Sequence, residues 1–273
     1  MKNTIAALKA QPELAALRRS LDVYYGDRAR EAAMRRLYRR FVRPGDLAFD
    51  IGSHVGDRIA TLRRLGARVL AVEPQPDCAR VIRAIHGSDR HVELIEAACG
   101  ARAGSLTLHV NSANPTVSTA SSEFVRAAAG AGGWEGQSWD REIEVRATTL
   151  DALIATRGAP AFIKIDVEGY EYEALLGLSE AVAVLSFEFT TIQREVARRC
   201  LSRLVTLADY RFNMALGESH VLDCAGWLTE KEMDRHLAAL PHEANSGDVY
   251  AILATESRGN TRKSSKDNKT CLI

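Results

Sequence analysis

The sequence predicts an α/β fold: a mostly parallel sheet with helices on both faces, preceded by an N-terminal helical extension. Two observations carry this. From residue 46 onward, short apolar runs alternate with helix-period segments, the pattern of a parallel sheet covered on both sides. One of those runs ends in an acid and breaks into a glycine turn, "FDIGSHVGDR" at 49–58, and such sheets bind ligands at the carboxyl ends of their strands.

The elements follow in order. Residues 3–20 place Ile5, Leu8, Leu14 and Leu17 at helical spacing with basic residues between, an amphipathic helix. "LDVYYGD" is expected to interrupt it. Residues 28–42 resume the pattern, with Ala33, Met34, Leu37, Tyr38 and Phe41 as the apolar stripe. Arg35, Arg36, Arg39 and Arg40 read as a solvated face rather than a nucleic-acid patch, because the chain as a whole is near neutral. Pro44-Gly45-Asp46 is a turn that closes this extension, residues 1–45. Then "LAFDIG" is a strand, 56–65 a helix, "RVLAVEP" a strand, 76–86 a helix and "VELIEAACG" a strand. "GSLTLHV" is a strand outside the parallel set. "EIEVRATTLDALIATRG" reads as strand then helix, "AFIKIDVEG" as a strand, and "YEYEALLGL" as a helix start. "AVLSFEF" is a strand, 191–208 a helix, and "YRFNMAL" and "DVYAILA" are the closing strands. Residues 46–255 thus form one domain. Within it, 111–140 is rich in Ser, Ala and Gly and long for a connection, but Trp134 and Trp139 argue against disorder, so a lid-like insertion is expected. The polar, basic residues 256–273 read as a disordered tail.

Composition sets limits on function. The chain has 273 residues, is 46% hydrophobic and carries a formal net charge of +1. Nothing in that balance demands nucleic acid or an acidic membrane. No run approaches 18 apolar residues, and the N-terminus lacks a signal-peptide core, so a cytoplasmic protein without stable membrane insertion is expected. The five cysteines are scattered without a C-x-x-C pair, which suits buried reduced thiols better than a disulfide framework or a metal site. The seven histidines show no zinc spacing.

The turn at 49–58 fits a nucleotide-like cofactor. Gly52 permits a tight turn, Gly56 lets the backbone approach a ligand, and helix N-terminal amides follow. Glu73 closes the next strand, where an acid accepts hydrogen bonds from both ribose hydroxyls. An NAD fold uses the same acid. Three details favour S-adenosylmethionine instead. The loop is not G-x-G-x-x-G. Asp50 before the turn would repel a pyrophosphate but can hold a cationic amino group. The closing strands lack a clear crossover helix, although residues 229–240 can form one, and an antiparallel last strand marks a methyltransferase sheet.

These residues resemble the FkbM-type methyltransferases, of the class I S-adenosylmethionine-dependent group. The resemblance rests on "FVRPGDLAFDIGSHVGD", "AVEPQPD", "TTLDALI" and above all "FIKIDVEGYEYEALLG", with "STASSEF" and "SFEF" also similar, and covers about residues 22 to 254. It implies a Rossmann-like seven-stranded sheet, S-adenosyl-L-methionine as cofactor, and methyl transfer, usually to oxygen on a sugar, glycan or small natural product. The family loop more often reads G-A-N-x-G. Here it is Gly52-Ser53-His54-Val55-Gly56, in which Ser53 and His54 still offer polar contacts. Asp50, Gly52, Ser53, His54, Gly56, Glu73, Pro74, Ala98 and Asp166 are therefore the expected cofactor residues. An NAD-dependent oxidoreductase and a non-catalytic binding protein that retains the fold are the alternatives.

Methyl transfer to a hydroxyl needs in-line alignment and a group to take the proton. Asp166 follows "FIKI" at a strand end and is read as a cofactor contact, a base or a helix cap. Glu168 follows on the turn, as base or metal ligand; two carboxylates are not a metal signature, so no metal ligand is assigned. Glu188 ends an otherwise apolar strand, where a charge without a role is costly. His242, in "HEANSGD" with Asn245 and Asp248, lies on a surface turn or lines the substrate cleft. Lys164 inside "FIKID" is unusual for a central strand and is expected to pair with a carboxylate.

Overall fold

The computed structural model describes residues 2–254. The expected tail, 256–273, lies outside them. The extension comprises α1 (Lys2–Lys9), a 3-10 turn (Pro12–Leu17), α2 (Arg18–Gly26) and α3 (Arg28–Tyr38). The break expected at "LDVYYGD" falls earlier and later instead. Pro12 has no amide hydrogen to continue α1, so the first helix stops before it. "LDVYYG" itself completes α2, with Leu21 buried, and Asp27 ends it. The Asp27 carboxylate accepts from the amides of Ala29 and Arg30, the N-cap of α3. Leu8, Leu14, Leu17 and Leu21 pack on Val55, Cys78 and Val81, so the extension is seated on the glycine loop.

Seven strands form the main sheet: β1 (Leu47–Ile51), β2 (Arg68–Val72), β3 (Val92–Ile95), β7 (Phe162–Ile165), β8 (Val184–Thr190), β9 (Tyr210–Leu216) and β10 (Ser246–Leu253). Their order is β3-β2-β1-β7-β8-β10-β9, and the last strand in the chain, β10, runs antiparallel to both neighbours. The helix foreseen near 229–240 exists as α10 (Glu230–Ala239), yet it links antiparallel strands. One face of the sheet is covered by α7 (Leu150–Arg157), α8 (Glu171–Leu176), α9 (Arg194–Leu207) and α10, through Leu150, Leu175, Leu201 and Leu237. The other is covered by α3, α4 (Asp57–Arg64) and α5 (Pro76–His86), through Tyr38, Ile59 and Ile82. All five residues of β1 are buried, as a central parallel strand requires.

Three further strands lie outside the main sheet. β4 (Ala98–Cys99), β5 (Gly104–Val110) and β6 (Arg141–Thr148) form a separate sheet in the order β4-β6-β5. "GSLTLHV" is outside the parallel set as expected. "VELIEAACG" divides between the two sheets, and "EIEVRATT" belongs to the second one, where alternating exposure marks a half-covered strand. In 111–140, α6 (Ser122–Ala128) is capped by Ser121. Trp134 packs edge-on to Phe124, with ring centres 5.1 Å apart, and Trp139 Nε1 donates to Val117 O at 2.8 Å. Thr119 Oγ1 donates to Glu168 O at 2.6 Å, tying the segment to the turn after β7.

Candidate active site

Strand register assembles the site. Side chains two apart on a strand share a face. Asp50 pairs in register with Lys164, Lys164 with Ser186, Ser186 with Tyr250, and Tyr250 with Asn213. This polar row crosses the sheet on the face beneath α3 and α4. One step nearer the strand ends, Glu188 faces Asp248. There, a cavity of about 280 Å³ opens.

The glycine loop forms one wall. Gly52 has φ +80°, and a Cβ there would sit 1.7 Å from Asp166 O, so the loop can cross the end of β7 only as glycine. Ser53 Oγ donates to Asp50 O at 2.7 Å, and the Gly52 and Ser53 amides donate to Val72 O. The His54 ring is 3.3 Å from Thr116 Oγ1 and 3.5 Å from Cys78 Sγ. Burial lowers it to about 4, so the ring is neutral near pH 7. Glu73 Oε2 accepts from the His54 amide at 2.8 Å and Oε1 from the Gln75 amide at 2.9 Å. Burial still raises Glu73 to about 7.

A second stretch of the wall, where the loop meets the end of β7, is acidic. Asp166, Glu168 and Glu188 line the cavity, and one oxygen of each lies within 4.8 Å of the others. Burial would raise Asp166, but Lys164 and Arg58 outweigh it and hold it below the usual range. Burial, then the neighbouring carboxylates, push Glu168 and Glu188 well up. Asp166 is therefore the ionised member, and the other two retain protons more readily. Asp166 does not cap a helix: Tyr170 precedes α8, and Glu171 Oε1 accepts from the Val167 and Gly169 amides.

Of the residues expected from sequence, Gly52, His54, Glu73, Pro74, Ala98, Asp166, Glu168 and Glu188 line the cavity. Ser53 and Gly56 shape the loop from behind. Asp50 lies beneath the loop, fully buried, with no hydrogen-bond partner on either oxygen, and burial pushes it to about 6. His242 is not brought to the cavity. Its exposed ring lies 2.9 Å from Gly132 O, because the 3-10 turn His242–Ala244 ends at Asn245 with φ +59° and redirects the chain. Asn245 and Ser246 line the wall instead, and Asp248 turns inward to Lys164.

The sequence reading passed over Arg58, Arg30, Glu218 and Tyr24. Arg58 Nη2 is 3.1 Å from Asp166 Oδ2 and 3.5 Å from Glu218 Oε1. Arg30 of α3 reaches Glu218 at 2.6 Å and Asp57 at 2.8 Å. Tyr24 of α2 lines the cavity beside His54. One signal was available: Arg58 sits in the first turn of α4, where the helix dipole disfavours a cation unless an acid compensates. Asp57 is adjacent, at 3.9 Å, but the acids at the cavity, Asp166 and Glu218, lie more than a hundred residues away, beyond the reach of local pattern.

The chemistry of S-adenosyl-L-methionine fits this wall. Glu73 has lone pairs beyond those engaged by backbone amides, as a ribose diol requires. Val72, Cys99 and Leu108 offer an apolar slot. Asp166, on the cavity wall, and the buried, unpartnered Asp50 beneath the loop put negative charge at this end of the site, as a cationic ligand requires.

The family model described as "Methyltransferase FkbM domain" matches residues 50–220. Among solved structures, the chain is similar to a precorrin-6y C5,15-methyltransferase from Geobacter metallireducens, at 13% identity over 82% of this chain and 87% of that one, with a TM-score of 0.43. It is also similar to Aeropyrum pernix fibrillarin with natively bound S-adenosyl-L-methionine, at 11% identity over 78% and 68%, with a TM-score of 0.40. An rRNA methylase from Streptococcus thermophilus matches at 10% identity over 82% and 94%, with a TM-score of 0.42. No curated protein matches the chain. No helix among the described residues is long and apolar enough to cross a membrane. Because the family match spans more than half of the chain and includes both the glycine loop and the "IKIDVEGYE" turn, this protein belongs to the FkbM methyltransferase family, whose cofactor is S-adenosyl-L-methionine.

Proposed function

We propose that this protein is an O-methyltransferase acting on a hydroxyl of a sugar, glycan or small natural product. The observation that supports this most directly is the convergence of Asp166, Glu168 and Glu188 on the wall of the cavity that Glu73 also lines. When bound, S-adenosyl-L-methionine supplies an electrophilic methyl group on a sulfonium. Glu73 would accept hydrogen bonds from the ribose hydroxyls, and Gly52, Pro74 and Ala98 would hold the nucleoside. Asp166, kept ionised by Lys164 and Arg58, would attract the cofactor's cationic groups. Glu168 and Glu188 serve the acceptor. An acceptor hydroxyl would have to give up its proton in the transfer, and whichever of Glu168 and Glu188 is ionised could take it, its proton affinity being raised by burial and the neighbouring carboxylates. Thr116, Val117 and Trp134, from the 111–140 segment, line the same cavity, where they would shield a bound acceptor from water. The net charge of +1 supports an acceptor other than nucleic acid.

Labelled cofactor tests the reading. S-adenosylhomocysteine should raise the melting temperature while NAD does not, and labelled methyl should reach a hydroxyl in a panel of sugars and hydroxylated metabolites. A shift with NAD alone would refute methyl transfer. Label recovered only on nitrogen or carbon would refute the oxygen assignment.

A further inference from the structure

Away from the cavity, the loop between β9 and α10 brings three different kinds of metal ligand together. Asp223 and Cys224 lie in that loop, and His236 lies on α10. A carboxylate oxygen, the thiol sulfur and a ring nitrogen fall within 4.8 Å of one another. His236 Nε2 is 3.0 Å from Asp223 Oδ2. An ordinary ion pair accounts for those two, but not for a thiol beside both. Cys224 also differs from Cys78, Cys99 and Cys200, which are buried, in being only half-buried.

The three groups are anchored from behind. Asn213, 2% exposed on β9, donates to Cys224 O at 2.9 Å and to Gly226 O at 3.0 Å, and accepts from the Cys224 amide at 3.1 Å. The Asp223 amide donates to Met214 O at 2.7 Å. The capping box of Thr229 and Glu232 fixes the start of α10. Side-chain rotation alone therefore sets the spacing of the donors.

We propose that Asp223, Cys224 and His236 bind one Zn²⁺ ion, with water in the fourth position. Zinc takes sulfur at about 2.3 Å and imidazole nitrogen at about 2.0–2.1 Å in a tetrahedron, which puts neighbouring donors about 3.5 Å apart. Donors that lie within 4.8 Å of one another need to close by at most about 1.3 Å to reach this, and the Asp223–His236 pair, at 3.0 Å, needs no contraction. On binding, the Cys224 thiol gives its proton to solvent and its sulfur an electron pair to the metal. His236 contributes the lone pair of a neutral ring, Asp223 a carboxylate oxygen, and no oxidation state changes. The ion fastens the loop after β9 to α10. That loop also carries Glu218, the partner of Arg30 and Arg58 at the cavity, while the three ligands themselves are distinct from the cavity wall.

Full-length protein, stripped with chelator, is titrated with Co²⁺ and then Zn²⁺. The expected result is one ion per chain, a near-ultraviolet sulfur-to-cobalt charge-transfer band, displacement of that band by Zn²⁺, and a higher melting temperature with Zn²⁺. Cys224→Ser should abolish the band. His236→Asn, at a partly exposed helix position and with unchanged circular dichroism, should weaken affinity at least about tenfold. Cys271→Ser should leave both as they were. No thiolate band in the unmodified chain, or a band that survives Cys224→Ser, would overturn the proposal.

Discussion

Lys164 and Asp248, 84 residues apart in the chain, meet at 2.6 Å between Nζ and Oδ1 in the interior of the sheet. The lysine has no exposed side-chain surface, and its second acid, Asp166, lies at 3.2 Å. Burial would lower the ammonium, but these two carboxylates outweigh it and hold it raised. The pair extends into an alternating chain of charge, Arg30–Glu218–Arg58–Asp166–Lys164–Asp248, which runs from the helical extension through the cavity to the last strand. Each buried charge in it depends on its neighbours, since breaking a buried pair leaves a charge uncompensated.

Lys164→Met should therefore destabilise the protein by about 3–5 kcal/mol, the cost of stranding buried carboxylates. Urea unfolding measures this. A loss under about 1 kcal/mol would mean that solvent already reaches the pair.

S-adenosylhomocysteine should bind more tightly at pH 8 than at pH 6. Glu73 sits at about 7 in the free protein, and hydroxyl donors favour its ionised form, so binding below that value must also expel a proton. The dissociation constant should weaken up to about tenfold between the two conditions. Glu73→Gln should bind more weakly and flatten the dependence. Calorimetry in two buffers of different ionisation enthalpy reads the proton directly.

The same residue makes an opposite demand on stability. Asp50 at about 6, with Glu73 and Glu171 at about 7, hold protons in the folded state that the unfolded chain has already lost. Their contribution is full below the unfolded values and disappears as pH rises through 6–7. Relative to Glu73→Gln, the ligand-free protein should lose on the order of 3 kcal/mol between pH 4 and pH 8. Parallel denaturation curves across that range would contradict a raised Glu73.

Gly52→Ala should abolish cofactor binding and lower the melting temperature sharply. Its Cβ would meet backbone, Asp166 O, and no rotamer relieves that. Gly45→Ala is the control: φ is also positive, at +89°, but the space is open, so only the left-handed penalty of about 1–2 kcal/mol applies. Similar melting points for the two variants would show that the loop can move away from β7.

Glu168→Gln and Glu188→Gln should both retain affinity for S-adenosylhomocysteine, and whichever residue is the base should lose turnover about 10²–10⁴-fold. Full turnover in both would transfer that role to Asp166.

The sequence by itself determined the sheet, the glycine loop and the acid at the end of β2. These depend on local physics: period-two and helical patterning, the positive φ of Gly52, and strand ends that follow directly from the chain. The "IKIDVEGYE" string also marked Asp166, Glu168 and Lys164 as worth attention, because charges on an apolar strand demand partners. Only the tertiary structure decided which partners. Arg58 and Glu218 are 160 residues apart and became neighbours through helix packing over the sheet, as Lys164 and Asp248 did through antiparallel insertion of β10 between β8 and β9. His242 lost its place at the cavity to Asn245 through a single reversal of the backbone, which local composition does not fix. Asp223, Cys224 and His236 likewise have no motif spacing. Their convergence depends on where α10 packs against β9, a long-range outcome of burial rather than of any short stretch of residues.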